Sequence, residues 1–246
     1  MIKIRLKFSK NGPIRFIGHL DVMRYFQKVN RRAGIDIKYS EGYSPHQVLS
    51  FALPLGVGST SDGEYLDMTL NSMENLEDVI SRLNGAMNEG IVILDGRQLP
   101  EVTPKAMTVV AAAEYMVSFR EGKAPDCDWE KLLMEYYAQD HLEATKKGKA
   151  GEHVIDMKPL IFRMEVTPAH QIHMLVKAGS INHIKPALVI ESFLHTQSEE
   201  LKPFALQVHR MDTYLQAEDD RGTYIEPLIC DAQGSGKRVY ICIRSL

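Results

Sequence analysis

The 246-residue sequence predicts an α+β fold of two similar halves, on three observations. Residues 2–8 alternate apolar and polar side chains at period two. Two segments of the first half carry apolar residues at helical spacing, and a similar succession of strand and helix patterns returns after residue 113. The first half reads β-α-β-β-α-β, which is the ferredoxin-like or split-βαβ arrangement. The expected architecture is therefore two tandem ferredoxin-like halves with antiparallel sheets, each covered on one face by its helices.

The elements follow in order. In IKIRLKF (2–8), Ile2, Ile4, Leu6 and Phe8 share one face of a half-buried strand. Asn11-Gly12-Pro13 marks a turn, and 14–17 is expected to continue extended. A helix is predicted over 20–33, with Val22, Phe26, Val29 and Ala33 as its apolar stripe and Gly34 as its stop. Strands are expected at 35–39, 48–52 and 64–70, a second helix over 75–88 with Leu76, Val79, Ile80 and Leu83 inward, and a closing strand at 91–94. Ile4, Phe26, Val29, Leu76, Ile80 and Ile93 should then share one core.

The second half is less regular. A strand at 114–119 precedes a helix at 126–138, a hairpin turning at Lys147-Gly148, strands at 161–166 and 172–177, a helix at 185–195 and a strand at 204–210. The expected organisation is an N-terminal domain at 1–99, a C-terminal domain at 113–216 and a tail at 217–246. Residues 100–112 are expected to be the linker, and the tail a polar joint followed by a terminal strand at 238–243.

Composition excludes several classes. Hydrophobic residues are 44% and charged residues 25%, which is globular rather than disordered. No stretch approaches the roughly 18 apolar residues of a membrane span, and MIKIRLKFSK has no signal-peptide pattern, so a cytoplasmic protein is expected. Cys127, Cys230 and Cys242 show neither CxxC nor a clustered triplet. That spacing argues against a disulfide framework, a structural zinc site or an iron–sulfur cluster. His141, His153, His170, His173, His183, His195 and His209 have no metal-ligand spacing. Gly56-Val57-Gly58 lacks the strand-turn-helix setting of a dinucleotide site, and there is no P-loop. No cofactor or metal is expected.

Charge is unevenly spread. Residues 1–50 carry ten Lys/Arg against Asp21, Asp36 and Glu41, a balance of +7, while the rest of the chain carries −10. An anionic partner would explain this, and so would a solvated basic face.

Unusual residues are densest between Gly18 and Gly58. The loop YSEGYSPHQ (39–47) offers Tyr39, Ser40, Glu41, Tyr43, Ser44 and His46 to solvent or a ligand, with Gly42 and Pro45 keeping it compact. The helix before it brings His19 at its start and Arg24, Lys28 and Arg31 on one side. Those cations suit phosphates, and Tyr25, Tyr39 and Tyr43 suit stacking on bases. A surface ion pair is the plainer reading of Asp21 with Arg24. Lys146 and Lys147 form a second basic spot at the later hairpin. His19 and His46 are the only histidines of the first half; the two together, or one of them with a tyrosine, have the chemistry of a general acid and base for metal-free RNA cleavage. Helix capping and loop bracing are their structural alternatives.

The run KIRLKFSKNGPIRFIGHLDVMRYFQKVNRRAG (3–34), followed by IKYSEGYSPHQVLSFALPLGVGSTSDGEYLD (37–67), resembles bacterial radical-SAM-linked proteins, a family catalogued as a domain of unknown function. The likeness covers roughly residues 1–120, with weaker echoes at 146–161 and 208–214. It implies a radical-SAM partner, fused or encoded nearby, often close to an RNase E/G-type ribonuclease. It brings no catalytic residues. The expected function is a non-catalytic accessory module that presents an RNA or another substrate to that partner. The alternative is a metal-independent ribonuclease of the CRISPR repeat-processing type using His19 or His46, by analogy of fold.

Overall fold

The computed structural model describes residues 1–148, 151–180, 182–229 and 238–241. Its first strand, β1 (Ile2–Lys10), ends in a 3₁₀ turn at Gly12–Phe16, where an extended segment was expected; Pro13 presets the tight φ of that turn. Helix α1 (His19–Arg32) follows, then β2 (Leu49–Phe51), β3 (Thr60–Leu70), α2 (Leu76–Ala86) and β4 (Ile91–Leu99). The strand expected at 35–39 forms only two isolated bridges, Ile37 to Leu70 and Tyr39 to Gln47. A short helix α3 (Ala106–Val109) and the start of β5 (Val110–Phe119) occupy the expected linker.

The chain continues through α4 (Trp129–Tyr137), β6 (Glu143–Gly148), β7 (Gly151–Asp156), β8 (Ile161–Val166), β9 (Ile172–Lys177) and α5 (Pro186–Thr196). Strand β10 (Leu206–Asp219) is far longer than the one expected at 204–210. It turns directly into β11 (Gly222–Pro227), which pairs with β12 (Val239–Tyr240). The segment from 217 thus begins as sheet rather than as a polar joint. Residues 242 and 243 of the expected terminal strand, like Cys230 and Cys242, lie outside the described residues. No described helix is long and apolar enough to cross a membrane.

The result is a mixed α+β fold around one large, mostly antiparallel sheet. Its order is β4-β1-β3-β10-β5-β9-β8, with β2 on β3 and β11 on β10; β6 and β7 form a separate ribbon. Separate sheets were expected for the two halves. They are joined by a short parallel pairing of β3 and β10, Thr60 with His209 and Ser61 with Arg210. Gly63 permits the approach, because a Cβ there would lie 2.3 Å from the Asp212 Cα.

Helices α1 and α2 cover one core, in which Ile4, Phe26, Val29 and Ile93 are buried and Leu76 and Ile80 pack against them, as the periodicity predicts. Helices α4 and α5 contribute Leu133, Tyr136, Ile190 and Phe193 to the second core. A smaller cluster, Ala112, Leu175, Tyr214, Ile225 and Ile241, joins β5, β9, β10 and β11 with the residue after β12.

Candidate functional site

The 39–47 loop is a closed structure. Ser40 N donates to the His46 carbonyl at 2.8 Å, and His46 N donates to Ser40 Oγ at 3.0 Å. Ser40 Oγ also lies 2.8 Å from His46 Nδ1. The same nitrogen lies 3.5 Å from the Ser44 carbonyl oxygen, so the ring is held to the loop on its Nδ1 side. At the tip Gly42 has φ +106°, a region favouring glycine, and Glu41, Tyr43 and Ser44 project into solvent.

The root of the loop is locked to α1 by a buried amide pair. Asn30 Nδ2 donates to Gln47 Oε1 at 2.9 Å, and Gln47 Nε2 donates to the Gln27 carbonyl at 3.1 Å and to Tyr39 Oη at 3.3 Å. The sequence reading missed both residues. Helical spacing held the clue: Asn30 stands four residues beyond Phe26 and eight beyond Val22, on the apolar face, where an amide needs a partner.

Ser40 and His46 line a cleft of about 300 Å³ together with Lys3, Ser50, Thr103 and Lys105. Its floor includes Asp67, whose charge is already matched. Arg5 grips both carboxylate oxygens at 2.7 and 3.1 Å, and Ala106 N donates to one of them at 2.7 Å. Lys3 and Lys105 therefore give the cleft a positive character.

On α1, Arg24 pairs with Asp21 at 3.3 Å on a largely exposed surface, and Lys28 and Arg31 are exposed beside it. Arg31 Nε donates at 3.3 Å to the Gln27 carbonyl, the atom that also receives Gln47 Nε2. That shared carbonyl brings Arg31 and the root of the loop together. Tyr25 is spoken for, since its hydroxyl accepts from Asn88 N at 2.7 Å.

His19 lies elsewhere. Its ring meets Phe51 edge-on at 5.3 Å, and it borders a pocket of about 20 Å³ with Lys10 and Glu64. None of the residues around that pocket borders the cleft of His46, so the two histidines serve separate sites. Lys146 is also apart; its ammonium donates to the His183 carbonyl at 3.1 Å, and the side chain of Lys147 lies outside the described residues.

Part of the +7 balance turns inward. Besides Arg5, Lys7 pairs with Asp212 at 2.7 Å, and Lys10 is 2% exposed, donating to the carbonyls of Arg15 and Ile17. Burial holds the Lys10 ammonium below its ordinary range, with Glu64 opposing the shift. The basic surface is correspondingly narrower than the charge count suggests. Among the described residues no group of three His, Cys, Asp or Glu could hold a metal. His170 turns to Glu130 at 2.5 Å, while His173 sits between Glu114 at 2.7 Å and Glu165 at 3.0 Å.

No curated protein matches the chain. Among solved structures it is similar to a chain of a Cbf5-Nop10-Gar1 complex, with 10% identity and a TM-score of 0.45, over 85% of this chain and 48% of that one. It thus spans about half the length of that chain. A family model described as an uncharacterized protein conserved in bacteria, DUF2344, matches residues 3–186, and the chain belongs to that family.

Proposed function

We propose that the protein is a non-catalytic binding module that holds RNA and presents it to a radical-SAM partner in the cytoplasm. The shared Gln27 carbonyl carries the RNA part of this reading, because it sets the exposed Arg31 beside the root of a polar loop. Phosphates would lie along Arg24, Lys28 and Arg31, while Tyr39, Tyr43 and His46 offer stacking and hydrogen bonding to unpaired bases. The resemblance of residues 3–34 and 37–67 supports the partner. A fold of two tandem ferredoxin-like units, residues 1–99 and 113–216, accords with this role. The strand order β4-β1-β3-β2 recurs as β10-β5-β9-β8, with the β6–β7 ribbon inserted.

The separation of His19 from His46 favours a module over a two-histidine ribonuclease. Incubating the protein with bacterial RNA in EDTA distinguishes them. Retention of intact RNA is expected, and cleavage would support the ribonuclease. Co-purification with the neighbouring radical-SAM protein tests the partner.

A further inference from the structure

Arg15 and Arg120, one from each half of the chain, border the same cavity. Arg15 belongs to the 3₁₀ turn after β1, and Arg120 directly follows β5. The cavity is about 180 Å³ and is also lined by Thr60, Gln171, Gln207 and His209, with Met116 and Val208 as its apolar members. This cavity is distinct from the cleft of His46.

Each arginine has its Nε sealed from solvent with no hydrogen-bond partner. Among the described residues no carboxylate pairs with either guanidinium. The Phe16 ring lies 4.8 Å from the Arg15 guanidinium, a face-on contact that leaves the in-plane N–H groups unspent. The nearby carboxylate, Asp62, is held by His209 Nε2 at 3.5 Å and by Asn11 Nδ2 at 2.8 Å. His209 Nδ1 in turn lies 2.9 Å from Thr60 Oγ1.

Two partly buried cations without a counter-charge are costly unless something supplies one. The group required is an oxyanion with several acceptor oxygens, since two guanidinium groups with neutral amide and hydroxyl side chains beside them carry more donors than one carboxylate accepts. Arginine's planar fork matches phosphate in this way. The cavity is smaller than the roughly 300–1,000 Å³ of drug-sized sites, so it suits a single phosphate group rather than a whole nucleotide.

We propose that Arg15 and Arg120 form a phosphate-binding site across the join of the two halves. The ligand is inorganic phosphate or the phosphate of an ester, and its binding ties the turn after β1 to the end of β5. The site does not depend on RNA binding at the 39–47 loop.

The test is ³¹P NMR of inorganic phosphate with the full chain, at ionic strength held constant with chloride. Wild-type protein should broaden the resonance, and Arg15→Gln or Arg120→Gln should each weaken binding about tenfold or more. Displacement by an oligoribonucleotide carrying a 5′-phosphate, but not by its 5′-hydroxyl form, identifies a terminal ester. Displacement by both identifies a backbone phosphate, and by neither a free phosphate. Absent broadening in the wild type, or equal broadening in both variants, overturns the site. In phosphate-free buffer both variants should melt at or above the wild-type temperature. Misfolding or a clear loss of melting temperature would make the arginines braces of the join, and also overturns the proposal.

Discussion

Arg210 Nη1 donates to Glu64 Oε1 over 2.8 Å, at the point where β3 and β10 run parallel. Both side chains are under a tenth exposed. The guanidinium is used on several sides, with Tyr115 Oη at 3.3 Å, the Leu53 carbonyl at 3.0 Å and the Pro54 carbonyl at 3.3 Å. The pair clamps the 53–54 segment and both halves of the sheet together. Replacing Arg210 alone by Met strands the Glu64 carboxylate and should cost about 3–5 kcal/mol. The double change Arg210→Met with Glu64→Leu should recover the part of that loss owed to the stranded carboxylate, while the Leu53 and Pro54 carbonyls stay without their donor. Chemical denaturation measures both, and a single-variant cost below about 1 kcal/mol would refute the clamp.

Gly63 is the second requirement of the join. An added Cβ would meet the Asp212 Cα at 2.3 Å and the Met211 carbonyl oxygen at 2.6 Å, both backbone atoms. The same glycine carbonyl accepts from Thr213 Oγ1 at 3.0 Å, so the strands cannot part without losing that bond. Gly63→Ala should therefore destabilise the protein by about 2–3 kcal/mol, through overpacking and the lost bond together. Unaltered denaturation of this variant would mean that β3 and β10 can separate freely.

The first half was legible because its periodicities are clean and its contacts are near in sequence. Val22, Phe26 and Val29 are buried as their spacing predicts, with Leu83 inward on the second helix. The join was not legible, since Glu64 and Arg210 lie 146 residues apart and no local pattern links them. The length of β10 was missed too: the strand expected at 204–210 runs on through MDTYLQAED to Asp219, beyond the polar residues Gln216, Glu218 and Asp219 that read as a joint. At the site, the exposed loop could be read from Gly42 and Pro45, whereas the Asn30–Gln47 bond that anchors it needed the fold. The charge count misled in part: Arg5 and Lys7 alternate with apolar residues on β1 as a solvated strand face would, yet pair with Asp67 on β3 and Asp212 on β10, while Lys10 turns inward to the carbonyls of Arg15 and Ile17.

Acid should weaken the fold through His183. Burial first, then the charges of Arg210, Lys185 and Lys146, holds its imidazole neutral down to about 4. An unfolded chain protonates this histidine near 6.5. Between those values the unfolded state binds more protons than the folded one, so stability falls as pH is lowered through the window and the loss levels off below about 4. The contribution is at most about 3.5 kcal/mol, at about 1.4 kcal/mol per pH unit between the two pKa values. His183→Asn should flatten the wild-type dependence between pH 6.5 and 4 in urea titrations. Parallel curves for the two proteins would show that His183 titrates like an exposed residue.

RNA binding, if it follows α1, should have a recognisable salt signature. Arg24, Lys28 and Arg31 are exposed, so replacing all three by Gln removes charge without opening the core. Each phosphate contact on a single strand contributes about 0.7 to the slope of log K against log salt. Losing three should weaken binding and flatten that slope by about two. His46→Ala acts differently, because its ring interacts by hydrogen bonding or stacking; it should weaken binding by a similar factor at low and high salt. Circular dichroism must first show both variants folded, as the loop is anchored by Gln47 and not by His46 alone. Filter binding over a range of salt then decides. An unchanged slope in the folded triple variant removes α1 from the interface, and a wild-type protein that retains no RNA at low salt turns this surface into one for a protein partner.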